Sequence, residues 1–186
     1  MLTDSERVQL LSVARAAVGA AARKEKKLAL PAARGALAEH RGAFVTLHME
    51  GELRGCIGYV EAAEPLVEVV ARAAAKAARE DPRFDPVSPA EVDRLEIEIS
   101  VMSPVTPVPD TAEIRLGVHG LIIELGGNRG LLLPQVPMEY GWTREEFLSH
   151  TARKAGLPAS AWRDPLAKLF WFEAEVFDEH GVHHAG

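Results

Sequence analysis

One cysteine, Cys56, stands in a chain of 186 residues. That excludes an internal disulfide and any metal or iron–sulfur centre built on cysteines alone, and it fits a reducing cytoplasm. No uninterrupted apolar run approaches the ~20 residues that a membrane-spanning helix needs. Positive charge is not in excess: 21 Lys and Arg stand against 27 Asp and Glu, a net charge of −6. A whole-molecule electrostatic grip on nucleic acid or on an anionic membrane is therefore not expected. The opening Met1-Leu2-Thr3-Asp4-Ser5-Glu6 carries acids where a secretory signal has a basic start. No repeat of solenoid period is present. What is there, 47% hydrophobic and 26% charged residues, is enough at this length to bury a core without staples. The expectation is a cytoplasmic, water-soluble protein of one domain or two tightly associated lobes.

Thr3-x-x-Glu6 is a capping-box pattern, and Val8, Leu10, Leu11, Val13, Ala17 and Val18 continue it at helical spacing up to the basic run Arg23 to Lys27. Two strands follow, Ala43 to Met49 and Leu53 to Val60, joined as a hairpin around Glu50-Gly51-Glu52. Glu64-Pro65 opens an alanine-rich helix to about Glu80, and Asp81-Pro82-Arg83-Phe84-Asp85-Pro86 ends it. Leu95, Ile97, Ile99 and Val101 alternate with Glu96, Glu98 and Ser100, the pattern of a half-buried strand over Arg94 to Met102. The proline-rich stretch 103–109 suits a connection between lobes. Beyond it, Val118 to Leu125 and Gly130 to Leu133 flank Gly126-Gly127-Asn128-Arg129 as a second hairpin. A helix capped by Thr143 and Glu146 runs to about Lys154, Leu169 to Phe177 is a last strand, and the tail His180 to Gly186 is polar and loose. Hairpins separated by single helices predict an α+β fold with a mainly antiparallel sheet and flanking helices.

Chemistry concentrates in Leu53-Arg54-Gly55-Cys56-Ile57-Gly58. Placing Met49 opposite Leu53 sets Leu47 opposite Gly55 and Val45 opposite Ile57, an apolar face. The same register sets His48 opposite Arg54 and Thr46 opposite Cys56 on the other face. A thiol beside a guanidinium ionises more easily, and glycine neighbours let a substrate or a second backbone come close. The competing reading is a small buried hydrophobe. No His-Glu-x-x-His spacing occurs, so no metal site and no cofactor are expected; His180, His183 and His184 on a loose tail read as incidental. Glu96 and Glu98 read as a solvated sheet face, Trp142, Trp162 and Trp171 as core or lobe-interface aromatics, and Gly126 to Gly130 as a turn and not a phosphate loop.

Leu-Arg-Gly-Cys-Ile-Gly at 53–58 resembles the hallmark hexapeptide of the AMMECR-type domain family, whose bacterial members are labelled AmmeMemoRadiSam system protein A. The likeness extends through Asp-Pro-Arg-Phe at 81–84, Ile-Glu-Ile-Ser-Val at 97–101 and His-Gly-Leu-Ile-Ile-Glu at 119–124. It continues through Leu-Leu-Leu-Pro-Gln-Val at 131–136, Glu139, Gly-Trp at 141–142 and Lys-Ala-Gly-Leu at 154–157, nearly the whole chain. The resemblance implies a single domain over 1–186 with two unequal lobes, the smaller roughly 104–160, and a groove between them. It implies no established activity. Carried over, the groove residues are Arg54, Gly55, Cys56, Gly58, Glu98, His119, Gln135 and Glu139. It also implies an association with a Memo-type protein resembling ring-opening dioxygenases and with a radical S-adenosylmethionine protein. Thr151 stands where many bacterial relatives carry cysteine, which argues against a two-cysteine mechanism, and Pro137-Met138 replaces smaller residues.

Three functions follow in order. The first is an enzyme or enzyme accessory that binds a small molecule, with Cys56 as nucleophile or ligand and Arg54 holding an anion. In it Gly55, Gly58, Glu98 and Gln135 contact the ligand, and His119 and Glu139 are candidate proton-transfer groups. The second is a non-catalytic interaction module with a structural Cys56. Nucleic-acid binding comes third.

Overall fold

Thr3 caps α1 (Asp4–Ala22) through the expected box, its side chain accepting from the Glu6 N–H while the Glu6 carboxylate accepts from the Thr3 N–H. The computed structural model describes residues 1–26 and 28–182; Lys27, His183 and His184 lie outside them. The helix buries Leu10, Val13, Ala14, Ala17 and Val18, whereas Val8, counted in its apolar face, is exposed. It closes at Ala22, so Arg23 to Lys26 follow the last turn and do not form it.

The chain divides into two compact units, Met1–Met102 together with the described residues from Glu175 onward, and Ser103–Ala174. In the first, β1 (Ala43–Met49) lies between β2 (Glu52–Tyr59) and β3 (Leu95–Met102), antiparallel to both. Helix α2 (Leu66–Arg79) begins just after Pro65. Leu47, Val45, Ile97, Ile99 and Val101 from the sheet, with Val69, Val70 and Ala73 from α2 and Leu10, Val13 and Val18 from α1, form one core. Each of the leucines, isoleucines and valines among them contributes ~1.5–3 kcal/mol by leaving water. The opposite sheet face carries Phe44, Thr46, His48, Glu98 and Ser100, all half-buried.

The hairpin register corrects the expectation at one end. Thr46 pairs with Cys56, Leu47 with Gly55 and Val45 with Ile57, but His48 pairs with Leu53 and Met49 with Glu52. The turn is shorter than supposed, two residues with Glu50 at φ 55° and Gly51 at φ 81°, the geometry of a type I′ hairpin. The residue thereby gained is taken up as a bulge at Arg54, which has no partner on β1.

In the second unit, β5 (His119–Leu125) pairs with β6 (Asn128–Leu132) and with β7 (Lys168–Asp178). The proline stretch supplies no central strand; it adds only the two-residue β4 (Thr106–Pro107), which pairs with β7. Asn128 and Arg129 are strand and not turn, because Gly126 and Gly127, at φ 57° and 86°, make the turn alone. A short α3 (Val136–Tyr140), unforeseen, precedes α4 (Arg144–Lys154), which carries the expected Thr143–Glu146 box. Ile114, Leu121, Phe147 and Leu148 form a core against which Trp142, Trp162 and Trp171 pack. In the first unit the tail is not wholly loose, since β8 (Gly181–Val182) pairs with the end of β7. The fold is α+β on antiparallel sheet, and among the described residues no helix is long and apolar enough to cross a membrane.

A Cβ built on Gly55 would stand 2.3 Å from the Ala77 carbonyl oxygen of α2. Gly55→Ala is expected to lower stability by about 2 kcal/mol or more through forced displacement of backbone. Urea unfolding measures it; an unchanged midpoint would refute the contact.

Candidate functional site

β2 has β1 on one side only, so alternate backbone groups of its other side need partners from outside the sheet. At Cys56 that partner is a carboxylate: Asp81 Oδ2 accepts the Cys56 N–H at 3.0 Å. Asp81 is only 4% exposed. A buried carboxylate needs compensation, and Arg83 supplies it from two residues away. Its Nε donates to Oδ1 at 3.0 Å, its Nη2 to Oδ2 at 2.8 Å, and its backbone N–H to Oδ1 at 3.1 Å. Chiefly through that guanidinium, and helped by the Cys56 N–H, the Asp81 carboxyl is held well below the usual carboxylate range, although burial acts the other way. Arg83 is held in its charged form by the same bonds, with the Cys56 sulfur near enough to add an electrostatic contribution, and its guanidinium lies over the Phe84 ring.

The thiol is half-buried and shares a hydrogen bond of 3.2 Å with Thr46 Oγ1. Thr46 in turn pairs with Glu98 on β3, so Cys56, Thr46 and Glu98 form one row across three strands. Arg54 was expected to hold an anion beside the thiol. The structure commits it elsewhere: Nε and Nη2 form a bidentate pair with Glu91, Nη1 donates to the Asp85 carbonyl, and Nη2 also to that of Pro86. The bulge that frees Arg54 from the β1 register lets it reach this loop. The cation beside Cys56 is Arg83. It was not among the expected site residues, and the signal that pointed to it was the Asp-Pro-Arg-Phe stretch itself, read as a helix end and as part of the family likeness without a site role.

Beside the glycines a substrate or a second backbone was expected to come close, and at Gly55 it is the backbone of α2; the space a Cβ would take at Gly58 is filled by Phe44, whose Cγ would stand 2.4 Å from it. Both glycines serve close packing of the protein on itself.

His119, Gln135 and Glu139 belong to the second unit. His119 is buried, its ring stacked on Trp171 with centroids 4.2 Å apart. The Arg115 N–H donates to its Nδ1 at 2.9 Å, which leaves the proton on Nε2, 3.5 Å from the Glu173 carboxylate. Burial pushes its pKa down, against the opposing pull of Glu173. Gln135 and Glu139 are exposed and one turn apart, Gln135 capping the start of α3 and Glu139 next to its last residue. Beside them Trp142 is stacked between Tyr140 and His150. Thr151 is fully buried in α4, its hydroxyl donating to the Phe147 carbonyl. Among the described residues no group of three or more His, Cys, Asp or Glu is placed to hold a metal ion.

Comparison with known proteins places this architecture in context. A model of the family described as AMMECR1 matches residues 11–177. A protein of Methanothermobacter thermautotrophicus is 46% identical over 187 aligned residues, 97% of each chain. One of Methanopyrus kandleri is 48% identical over 152 residues, 77% of this chain and 73% of its own. The crystal structure of an uncharacterized protein from Pyrococcus horikoshii superposes with a TM-score of 0.80 at 41% identity, covering 93% of this chain and 91% of that one.

The Glu91 carboxyl is lowered from 4.5 to about 2, first by Arg54 and then by the Ser88 N–H. Its pKa is depressed in the folded state, so the stability it contributes is complete above about pH 4.5 and is lost as the pH falls through about 2. Glu91→Gln is expected to be less stable than the parent at pH 7 by about 2 kcal/mol, less than for a fully buried pair because both ends keep some solvent. The two proteins should converge toward pH 2 in acid titrations of unfolding; a constant difference would contradict the pairing.

Proposed function

The chain belongs to the AMMECR1 family, and from that premise we propose that it is a small-molecule-binding enzyme or enzyme accessory whose working group is the Cys56 thiol. The observation that carries this reading is the Asp81 network. Capping an edge-strand N–H needs only water or a neutral acceptor, yet here a carboxylate 4% exposed holds position 56 and ties it to a guanidinium. Such rigid support is what a reacting or ligand-binding side chain needs from its neighbours. Thr46 supports the reading by offering the sulfur a hydroxyl, which can donate to a thiolate or accept from a thiol. In the second unit a proton-transfer role for His119 would run through Nε2 and Glu173.

A second reading, an interaction module with a structural Cys56, is favoured by one feature. Met138 and Tyr140 are 61% and 68% exposed at α3, beside the stacked Trp142 and His150. Exposed apolar groups next to an aromatic stack suit a protein partner. The partners to try are the Memo-type dioxygenase-like protein and the radical S-adenosylmethionine protein.

Alkylation separates the two. A working Cys56 is expected to react with iodoacetamide in the native protein at a rate independent of urea below the unfolding transition. Labelling that requires global unfolding would sink the first reading. An interaction module is expected to bind its partner unchanged as Cys56→Ala and to lose it as Met138→Ala with Tyr140→Ala, measured by titration calorimetry.

A further inference from the structure

Asp81 Oδ2 accepts from both the Cys56 N–H and Arg83 Nη2, at 3.0 and 2.8 Å. The guanidinium therefore cannot stand farther from the Cys56 backbone than those two bonds laid end to end. Asp81 engages only one edge of it, Nε and Nη2, and none of the described hydrogen bonds uses Nη1. The end-on pair of Nη1 and Nη2 hydrogens is left for another acceptor. Burial makes the arrangement one-sided. The Arg83 side chain is 56% exposed and that of Asp81 2%, so solvent beside Cys56 meets the cation and not its counter-ion. Arg54 differs, because every nitrogen of its guanidinium donates to Glu91 or to the 85–86 carbonyls. On the far side of the row stands Glu98, which repels an anion arriving from β3 and leaves the Arg83 side as the favourable approach.

We propose that Arg83 makes the Cys56 surface a site for small oxyanion-bearing molecules, the carboxylate or phosphate held by the outward edge of the guanidinium while the rest of the ligand lies against the sulfur. Guanidinium hydrogens at that edge match a two-oxygen acceptor. This rests on Cys56 being the working group, and names the class of compound it meets.

Paired alkylating reagents of unlike charge test it on the full-length chain. In either reaction the sulfur displaces iodide from the reagent's CH2, an S–C bond forming as the C–I bond breaks, with the thiol proton passing to buffer. Iodoacetate carries a carboxylate on that CH2; iodoacetamide is its neutral counterpart. The quantity read by intact mass is the ratio of their rate constants at one pH and ionic strength. The same chain unfolded in urea supplies the reference, and this comparison needs no variant. A native ratio about tenfold above the unfolded one is expected for a cation within a few ångströms of the incoming carboxylate. Arg83→Gln should return the ratio to the unfolded value and Arg83→Lys should retain most of it, with thermal melts establishing that each variant is folded. A native ratio no higher than the unfolded one, with Cys56 still labelled, would overturn the anion site and leave the Cys56 reading standing. Protection from both reagents until the chain unfolds would overturn both.

Discussion

A single buried carboxylate organises the first unit. Asp81 closes α2's exit loop on Arg83 and simultaneously caps β2 at Cys56, so the loop and the strand share one acceptor. In a low-dielectric setting its four hydrogen bonds offset the desolvation of the charge, whereas loss of one donor leaves that charge undercompensated. Position 56 is thereby held from the strand edge while β1 holds it from the other side, and the direction of the thiol follows from both.

Arg54 and Arg83 illustrate how identical side chains part in role. Arg54 enters a bulge and is consumed in tying β2 to the 3-10 turn Pro89–Arg94 through Glu91. Arg83 pairs with a residue two positions away, which fixes one edge of its guanidinium and leaves the other in solvent. Together the two ties cover the free edge of β2, the side on which an unpaired strand would otherwise recruit another chain. Stability and availability are divided between two arginines.

Alternation along β1 and β2 was sufficient to place Thr46 opposite Cys56 and the apolar residues against the helices, because burial of one face admits one register. It failed beyond Leu47. The bulge shifts every later pair by one, setting Leu53 opposite His48 and Glu52 opposite Met49, and nothing in period-two spacing marks it. The capping boxes at Thr3 and Thr143 were legible because their groups lie three residues apart. The two-residue turn at Glu50-Gly51 was less so, since Glu50 is an unusual residue at positive φ. Arg83 was overlooked because Cys56, 27 positions earlier, is joined to it through hydrogen bonds to Asp81 and not by any local spacing.

The sequence by itself determined the α+β class, the starts of α1, α2 and α4, the core faces of β1 and β3 and the family, since these rest on local spacing, on the apolar or polar character of neighbouring residues and on motifs readable in order. Only tertiary structure decided which arginine attends the thiol, that Gly55 and Gly58 are empty of side chain for the sake of α2 and Phe44, and that His119 carries its proton on Nε2. Those outcomes depend on which groups meet across long stretches of chain and on how far each is withdrawn from water. Burial sets the strength of a charge or a hydrogen bond, and burial is a property of the assembled fold.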